Sequence, residues 1–136
     1  MKKMNPVVHF EMPAENKDRM VDFYTNVFGW EAQKLGPDMG NYVVVSTTEL
    51  GEDNRPKTPG AINGGFYEKT KNDQYPSVVI AVDDIRESMK KITEAGGKLL
   101  GGMAKPGEPD EIPGVGLFMA FVDTEGNRAS ILQPKM

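Results

Sequence analysis

The sequence predicts an α+β fold made of two tandem βαβββ modules. Three observations carry that prediction. Residues 7–30 lie over residues 75–98 with an offset of 68, half of the 136-residue chain. The overlay sets His9 on Ser77, Asn16 on Asp84, Val21 on Met89, Tyr24 on Ile92 and Gly29 on Gly97. Each half also opens with a short Val- and Ile-rich run that leads into a capped, amphipathic helix. Short strand-like runs separated by Gly and Pro then follow in both halves.

The elements can be justified in order. "VVHFEM" (7–12) and "SVVIAV" (77–82) are the opening strands. Asn16 and Asp84 are good N-cap residues, since their side-chain oxygens accept from a free N–H of the first helical turn. Glu87, three residues after Asp84, adds a capping-box-like pattern. Met20, Val21, Tyr24, Val27 and Phe28 form the apolar stripe of the first helix. Ile85, Met89, Ile92 and Ala95 form that of the second. Gly29 and the pair Gly96–Gly97 stop the helices. Strands are expected at 31–34, 41–48 and 61–67 in the first half, and at 98–103, 116–123 and 128–133 in the second. "DTEGN" (123–127) reads as a hairpin turn. "GEDNRPKTPG" (51–60) and "AKPGEPDEIPGVG" (104–116) read as charged loops, long enough to cover a cleft. The modules span about 5–67 and 76–134 of a single domain over 1–136, with a polar linker at 68–75.

Composition narrows the function. A net charge of -4 with scattered Lys and Arg argues against a nucleic-acid partner and against a polybasic membrane patch. No apolar run nears the roughly 20 residues that span a bilayer. The start "MKKMNP" is followed by a run that His9 and Glu11 interrupt, so no secretory core is expected and the cytoplasm is the expected location. With no Cys, thiolate chemistry and disulfides are excluded. With one His, a metal site would have to rely on carboxylates, amides or a second chain.

Three segments carry a family resemblance: "HFEMPAENKDRMVDFYTNVFGW", "VVIAVDDIRESMKKITEAGGKLL" and "IPGVGLFMAFVDTEGNRASILQ". Through them nearly the whole chain resembles the vicinal oxygen chelate superfamily, which includes glyoxalase I, bleomycin-resistance proteins and extradiol dioxygenases. The last segment is similar to a branch of predicted lactoylglutathione-lyase-related proteins. The resemblance implies a curved mixed sheet around a cleft, with the helices on the convex side. It implies a homodimer. In catalytic members one divalent metal is held by four side chains, roughly one on each of four strands. Carried over, the first ligand position is His9, fourteen residues before Phe23. The third is Ser77, seven before Asp84, and the fourth is Ser130, seven after Asp123. The second lies near "NGGFY", where Asn63 and Glu68 are the possible ligands. Serine hydroxyls are poor ligands for Zn, Ni or Fe beside imidazole and carboxylate. His9 is therefore the one surviving ligand position, and no cofactor is expected.

Strand alternation predicts which side chains face the cleft. Val8, Phe10 and Met12, like Val78, Ile80 and Val82, should pack under the helices. His9, Glu11, Ser77, Val79, Arg128 and Ser130 should then line the concave face. Tyr42, Phe66, Tyr67, Phe118 and Met119 on neighbouring strands are further candidates for its wall. His9 and Glu11, two apart on one strand, could act as an acid/base pair, with the carboxylate raising the imidazole pKa. Two functions follow. One is a bleomycin-resistance-like binder of a small organic molecule in a metal-free cleft. The other is a lactoylglutathione-lyase-related enzyme for a small carbonyl or thiol adduct, using His9 and Glu11 or an atypical metal site.

Overall fold

The computed structural model describes residues 3–101 and 107–135. Among them are two α-helices and nine strands in mixed parallel and antiparallel pairing, an α+β fold. No described helix is long and apolar enough to cross a membrane. The chain divides into two units, residues 9–76 on one hand and residues 3–8 with 77–135 on the other.

The first unit takes most of β1 (Val7–Ala14), then α1 (Lys17–Phe28), β2 (Glu31–Lys34), β3 (Val43–Ser46) and β4 (Asn63–Glu68). Its strand order is β2-β3-β4-β1, with β1 parallel to β4 and the other pairs antiparallel. The Asn16 side chain caps α1 by accepting from the Arg19 N–H at 3.0 Å, as the sequence predicts. Gly29 ends the helix in the left-handed conformation. Val43, Val45 and Phe66 form the buried core, against which Phe10, Met12, Met20, Val21, Tyr24 and Trp30 pack. Tyr24 and Trp30 stack at 4.7 Å. Val27 and Phe28, expected in the buried stripe, are instead exposed, as is Phe23. Of the α1 side chains only Met20, Val21 and Tyr24 pack against that core, each of them partly buried.

The second unit comprises β5 (Ser77–Ala81), α2 (Ile85–Glu94), β6 (Lys98–Leu99), β7 (Asp110–Ile112), β8 (Gly116–Val122) and β9 (Arg128–Pro134). Its order is β5-β9-β8-β6, with β7 also paired to β8. Here β5 is parallel to β9, and the other pairs are antiparallel. Asp84 caps α2 by accepting from the Glu87 N–H, and Gln133 accepts from the Ile85 N–H at 2.9 Å. Val82, Ile85, Met89, Met119 and Ile131 form its core. Residues 3–8 join this unit: the Ala81 N–H donates to the Pro6 carbonyl at 2.9 Å.

Three expectations change. The strand expected at 98–103 ends at Leu99; residues 102 and 103 lie outside the described residues. The expected loop 104–116 contains β7, where Asp110–Ile112 pairs along β8 between Pro109 and Pro113. The prolines hid it, because Pro disfavours a ladder everywhere but at an edge. Glu68, assigned to the linker, closes β4 instead.

Candidate functional site

In the first unit, Phe10 and Met12 of β1 point to the helix side, so His9 and Glu11 point to the opposite face. Val43 and Val45 do the same for β3, which turns Tyr42 and Val44 to the His9 side. On β4, Phe66 faces the core, and Asn63, Gly65 and Tyr67 share the face of His9. Register places His9 opposite Asn63 and Glu11 opposite Gly65, while Val44 flanks Gly65 from the other side.

Tyr42 sits just before β3, after two successive left-handed residues, Gly40 and Asn41. Its ring crosses β4 to reach β1. The Tyr42 hydroxyl lies 3.0 Å from His9 Nε2 and donates to Glu11 Oε2 at 3.1 Å. Gly65 makes this crossing possible. A Cβ there would lie 2.0 Å from the Tyr42 hydroxyl oxygen and 2.1 Å from the ring carbon that bears it. The neighbouring Gly64 does the same on the other face, where a Cβ would come within 2.6 Å of the Phe10 ring. Adjacent positions of a strand face opposite sides, so the Gly64–Gly65 pair admits one ring into the core and one into the site. Sequence reasoning passed over both glycines. The signal was present, since glycine inside a strand marks the close approach of another group.

Proton positions follow from the charges. A carboxylate only accepts, so the Tyr42 O–H must point to Glu11. The Tyr42 oxygen then accepts from His9, which requires a proton on Nε2. Burial pushes the His9 pKa below its ordinary value, so the ring is neutral at pH 7 and carries its single proton on Nε2. Burial, the Glu11 charge and the hydrogen bond to Glu11 together push the Tyr42 pKa far up, so the phenol stays protonated. This corrects the expectation that Glu11 raises the His9 pKa directly. Tyr42 stands between the two groups, and desolvation decides the sign.

In the second unit, the core position of Met119 and Ile131 turns Phe118, Ala120, Arg128 and Ser130 to the other face, with Val79 opposite Ser130. Val79 and Ser130 are 2% and 1% exposed, which leaves them almost no surface for a ligand. Ser77, Phe118 and Arg128 are half-buried. Two of the expected wall residues are corrected. Phe66 (0% exposed) and Met119 (1%) belong to the cores beneath the helices, because alternation places them one residue out of phase with the site face.

The fit to a chelated metal can be tested on the donors. His9 Nε2 and Glu11 Oε2 are both committed to Tyr42. Asn63 turns its amide oxygen to the Thr47 N–H at 2.8 Å. Glu68 follows Tyr67 on the strand and so faces away. Among the described residues no three His, Cys, Asp or Glu side chains gather to hold an ion. This donor set does not fit a divalent cation bound by four protein ligands.

Two depressions of about 410 Å³ lie elsewhere, one lined by Glu111, Leu117, Gln133 and Lys135, the other by Lys17, Lys34, Asn41 and Glu68. Neither includes His9, Tyr42 or Glu11.

Comparison with known proteins gives three kinds of likeness. Residues 7–48 match the family described as bleomycin resistance protein-like N-terminal. A glyoxylase-like domain-containing protein of Didymella fabae is 30% identical over 125 residues, spanning 89% of this chain and 88% of that protein. Streptomyces coelicolor methylmalonyl-CoA epimerase, solved with 2-nitronate-propionyl-CoA, superposes with a TM-score of 0.69 and 14% identity over 98% of this chain and 100% of that one. The Mycobacterium tuberculosis methylmalonyl-CoA epimerase does so with 0.65 and 11%, over 96% and 88% of the two chains. At such identity the structural likeness concerns the fold alone.

Proposed function

The chain belongs to the glyoxalase-like proteins of the vicinal oxygen chelate superfamily, and from that premise we propose that it binds a small organic molecule, without a metal, on the His9–Tyr42–Glu11 face of β1, β3 and β4. The observation that carries this reading is the Tyr42 hydroxyl, 3.0 Å from His9 and 3.1 Å from Glu11, in the slot that Gly65 leaves. Where a metal-dependent relative offers lone pairs to an ion, these side chains are held to one another. Polar groups fixed in this way suit orientation of an organic ligand. A cytoplasmic homodimer belongs to the same reading, and light scattering on the purified protein tests the dimer.

The test of the binding reading is titration of chelator-free protein with nickel, zinc and ferrous iron, followed by a thermal-shift screen of small organic molecules. The expected result is no metal binding tighter than about millimolar and stabilisation by an organic ligand that is lost in Tyr42→Phe. About one tightly held metal per chain would overturn the metal-free reading.

A second reading has one observation in its favour. Neutral His9 is a competent base at pH 7, and Nδ1 carries its free lone pair. A lactoylglutathione-lyase-related enzyme would use it to move a proton beside a small carbonyl or thiol adduct. Turnover of the methylglyoxal–glutathione adduct, abolished in His9→Ala, would favour this reading over binding alone.

A further inference from the structure

We propose that His9 and Asn63 together read a planar amide group, a primary carboxamide or a lactam, whose N–H donates to His9 Nδ1 and whose carbonyl accepts from Asn63 Nδ2. The inference rests on reading this face as a ligand site and adds the class of molecule that it takes.

The two residues are direct partners in the parallel pairing of β1 with β4, and both are half-buried on the same face. Paired strands lie about 4.8 Å apart, so one small group can touch both side chains. Each side chain has one end fixed. His9 gives its Nε2 proton to the Tyr42 hydroxyl 3.0 Å away, which leaves Nδ1 as a lone pair in the neutral ring. Asn63 sets its amide oxygen against the Thr47 N–H at 2.8 Å. A backbone N–H only donates, so the amide cannot be turned over, and the other branch must be Nδ2 with its two N–H groups. The Thr47 hydroxyl, 3.4 Å from the same oxygen, gives its own proton to the Ile62 carbonyl at 2.7 Å. Among the described residues neither His9 Nδ1 nor Asn63 Nδ2 has a hydrogen-bond partner, and neither is shut away from solvent.

A lone pair beside an N–H pair is complementary to a group with a donor and an acceptor on one edge. A primary carboxamide or a lactam has that edge. A carboxylate has acceptors only and leaves Nδ1 facing a lone pair; an amidinium has donors only and leaves Asn63 Nδ2 facing an N–H. Ser46, on the same face of β3, has a hydroxyl that can donate or accept and so serves either half. Tyr67 shares the face but stands four residues along β4 from Asn63, about 13 Å at strand spacing. Glu11 enters only by accepting from Tyr42, which fixes the His9 tautomer.

Four probes of one shape test it: benzamide, N,N-dimethylbenzamide without an N–H, benzoate and benzamidine. His9 is the only histidine, so its two ring nitrogens give unambiguous ¹⁵N signals in the intact protein. Benzamide is expected to move the Nδ1 signal and raise the melting temperature, with the other three at least about ten-fold weaker. Asn63→Asp keeps an oxygen for the Thr47 N–H and replaces the Nδ2 donors by an acceptor, so it is expected to reverse the preference from benzamide to benzamidine. Any of the other three probes binding the wild type as tightly as benzamide, or a folded Asn63→Asp with unchanged benzamide affinity, would overturn the inference while leaving a ligand site in place. The wild-type series needs no variant to fold. If none of the four moves a His9 signal, the binding reading of this face fails, and the inference fails with it.

Discussion

Gly65 in the first unit and Ser130 in the second occupy the same place in the same strand order. Each lies on the strand parallel to its unit's opening strand, opposite Glu11 in one case and Val79 in the other. Each is flanked on its far side by a small or branched residue, Val44 or Ala120. The register carries the correspondence further: His9 to Ser77, Glu11 to Val79, and Tyr42 to Phe118. One unit therefore holds histidine, tyrosine, glutamate and a glycine slot where the other holds serine, phenylalanine, valine and a filled position. The second unit buries Val79 and Ser130, leaves Ser77 and Phe118 half-buried, and keeps no titratable group among those four. The difference teaches that the same strand order holds a hydrogen-bonded polar group in one unit and a more apolar, more closely packed surface in the other, and that the contrast turns on one side chain. Tyr42 reaches across its neighbour strand only because Gly65 has no Cβ.

The strongest way to break this comparison is to fill the slot. Gly65→Ala places a Cβ about where the Tyr42 ring now lies, and should cost about 2–3 kcal/mol. Ser130→Ala, which keeps its Cβ, should cost less than about 1 kcal/mol. Urea unfolding of both variants checks the contrast. Because ring carbons clash as well as the hydroxyl, Tyr42→Phe should fail to rescue Gly65→Ala, whereas Tyr42→Ala should recover part of the loss in a double-mutant cycle.

Removing the hydroxyl alone is the next largest effect. Tyr42→Phe leaves Glu11 and His9 Nε2 without their shared partner and should cost about 1–2 kcal/mol. It should also release the tautomer preference of His9, visible in the imidazole ¹⁵N spectrum.

The helix caps sharpen the comparison from its conserved side. Asn16→Ala and Asp84→Ala should each cost about 1 kcal/mol. Asp84→Ala should cost the less of the two, because Gln133 still satisfies the Ile85 N–H in that first turn. Thermal melts of the two variants decide the order.

The smallest effect is a pH slope. Burial lowers the His9 pKa below 6.5, so between the two values the unfolded chain binds more protons than the folded one. His9 contributes stability that is fully present above pH 6.5 and is lost as the pH falls through the folded value. Wild type should lose stability relative to His9→Gln on going from pH 8 to pH 5. Ser77, the counterpart in the second unit, adds no such slope.

Periodicity and capping were enough to read both helices, their N-caps, most of the strands and the duplication itself, because these depend on local spacing and on chemistry within a turn. The facing of His9 and Glu11 was legible for the same reason, as strand alternation has a period of two. The helix-side positions of Phe66 and Met119 were not, since nothing local says at which residue a strand's phase begins. The strand at Asp110–Ile112 was masked by its flanking prolines. Tertiary structure alone decided that Tyr42 joins His9 to Glu11. Tyr42 lies 33 residues from His9 and 31 from Glu11, and only the registers of β1 and β3 on β4 bring the three together over Gly65. Desolvation by that packing, rather than the nearby carboxylate, then sets the charge of His9. That sign depends on burial and on which group intervenes, and neither is written into the spacing of residues along a strand.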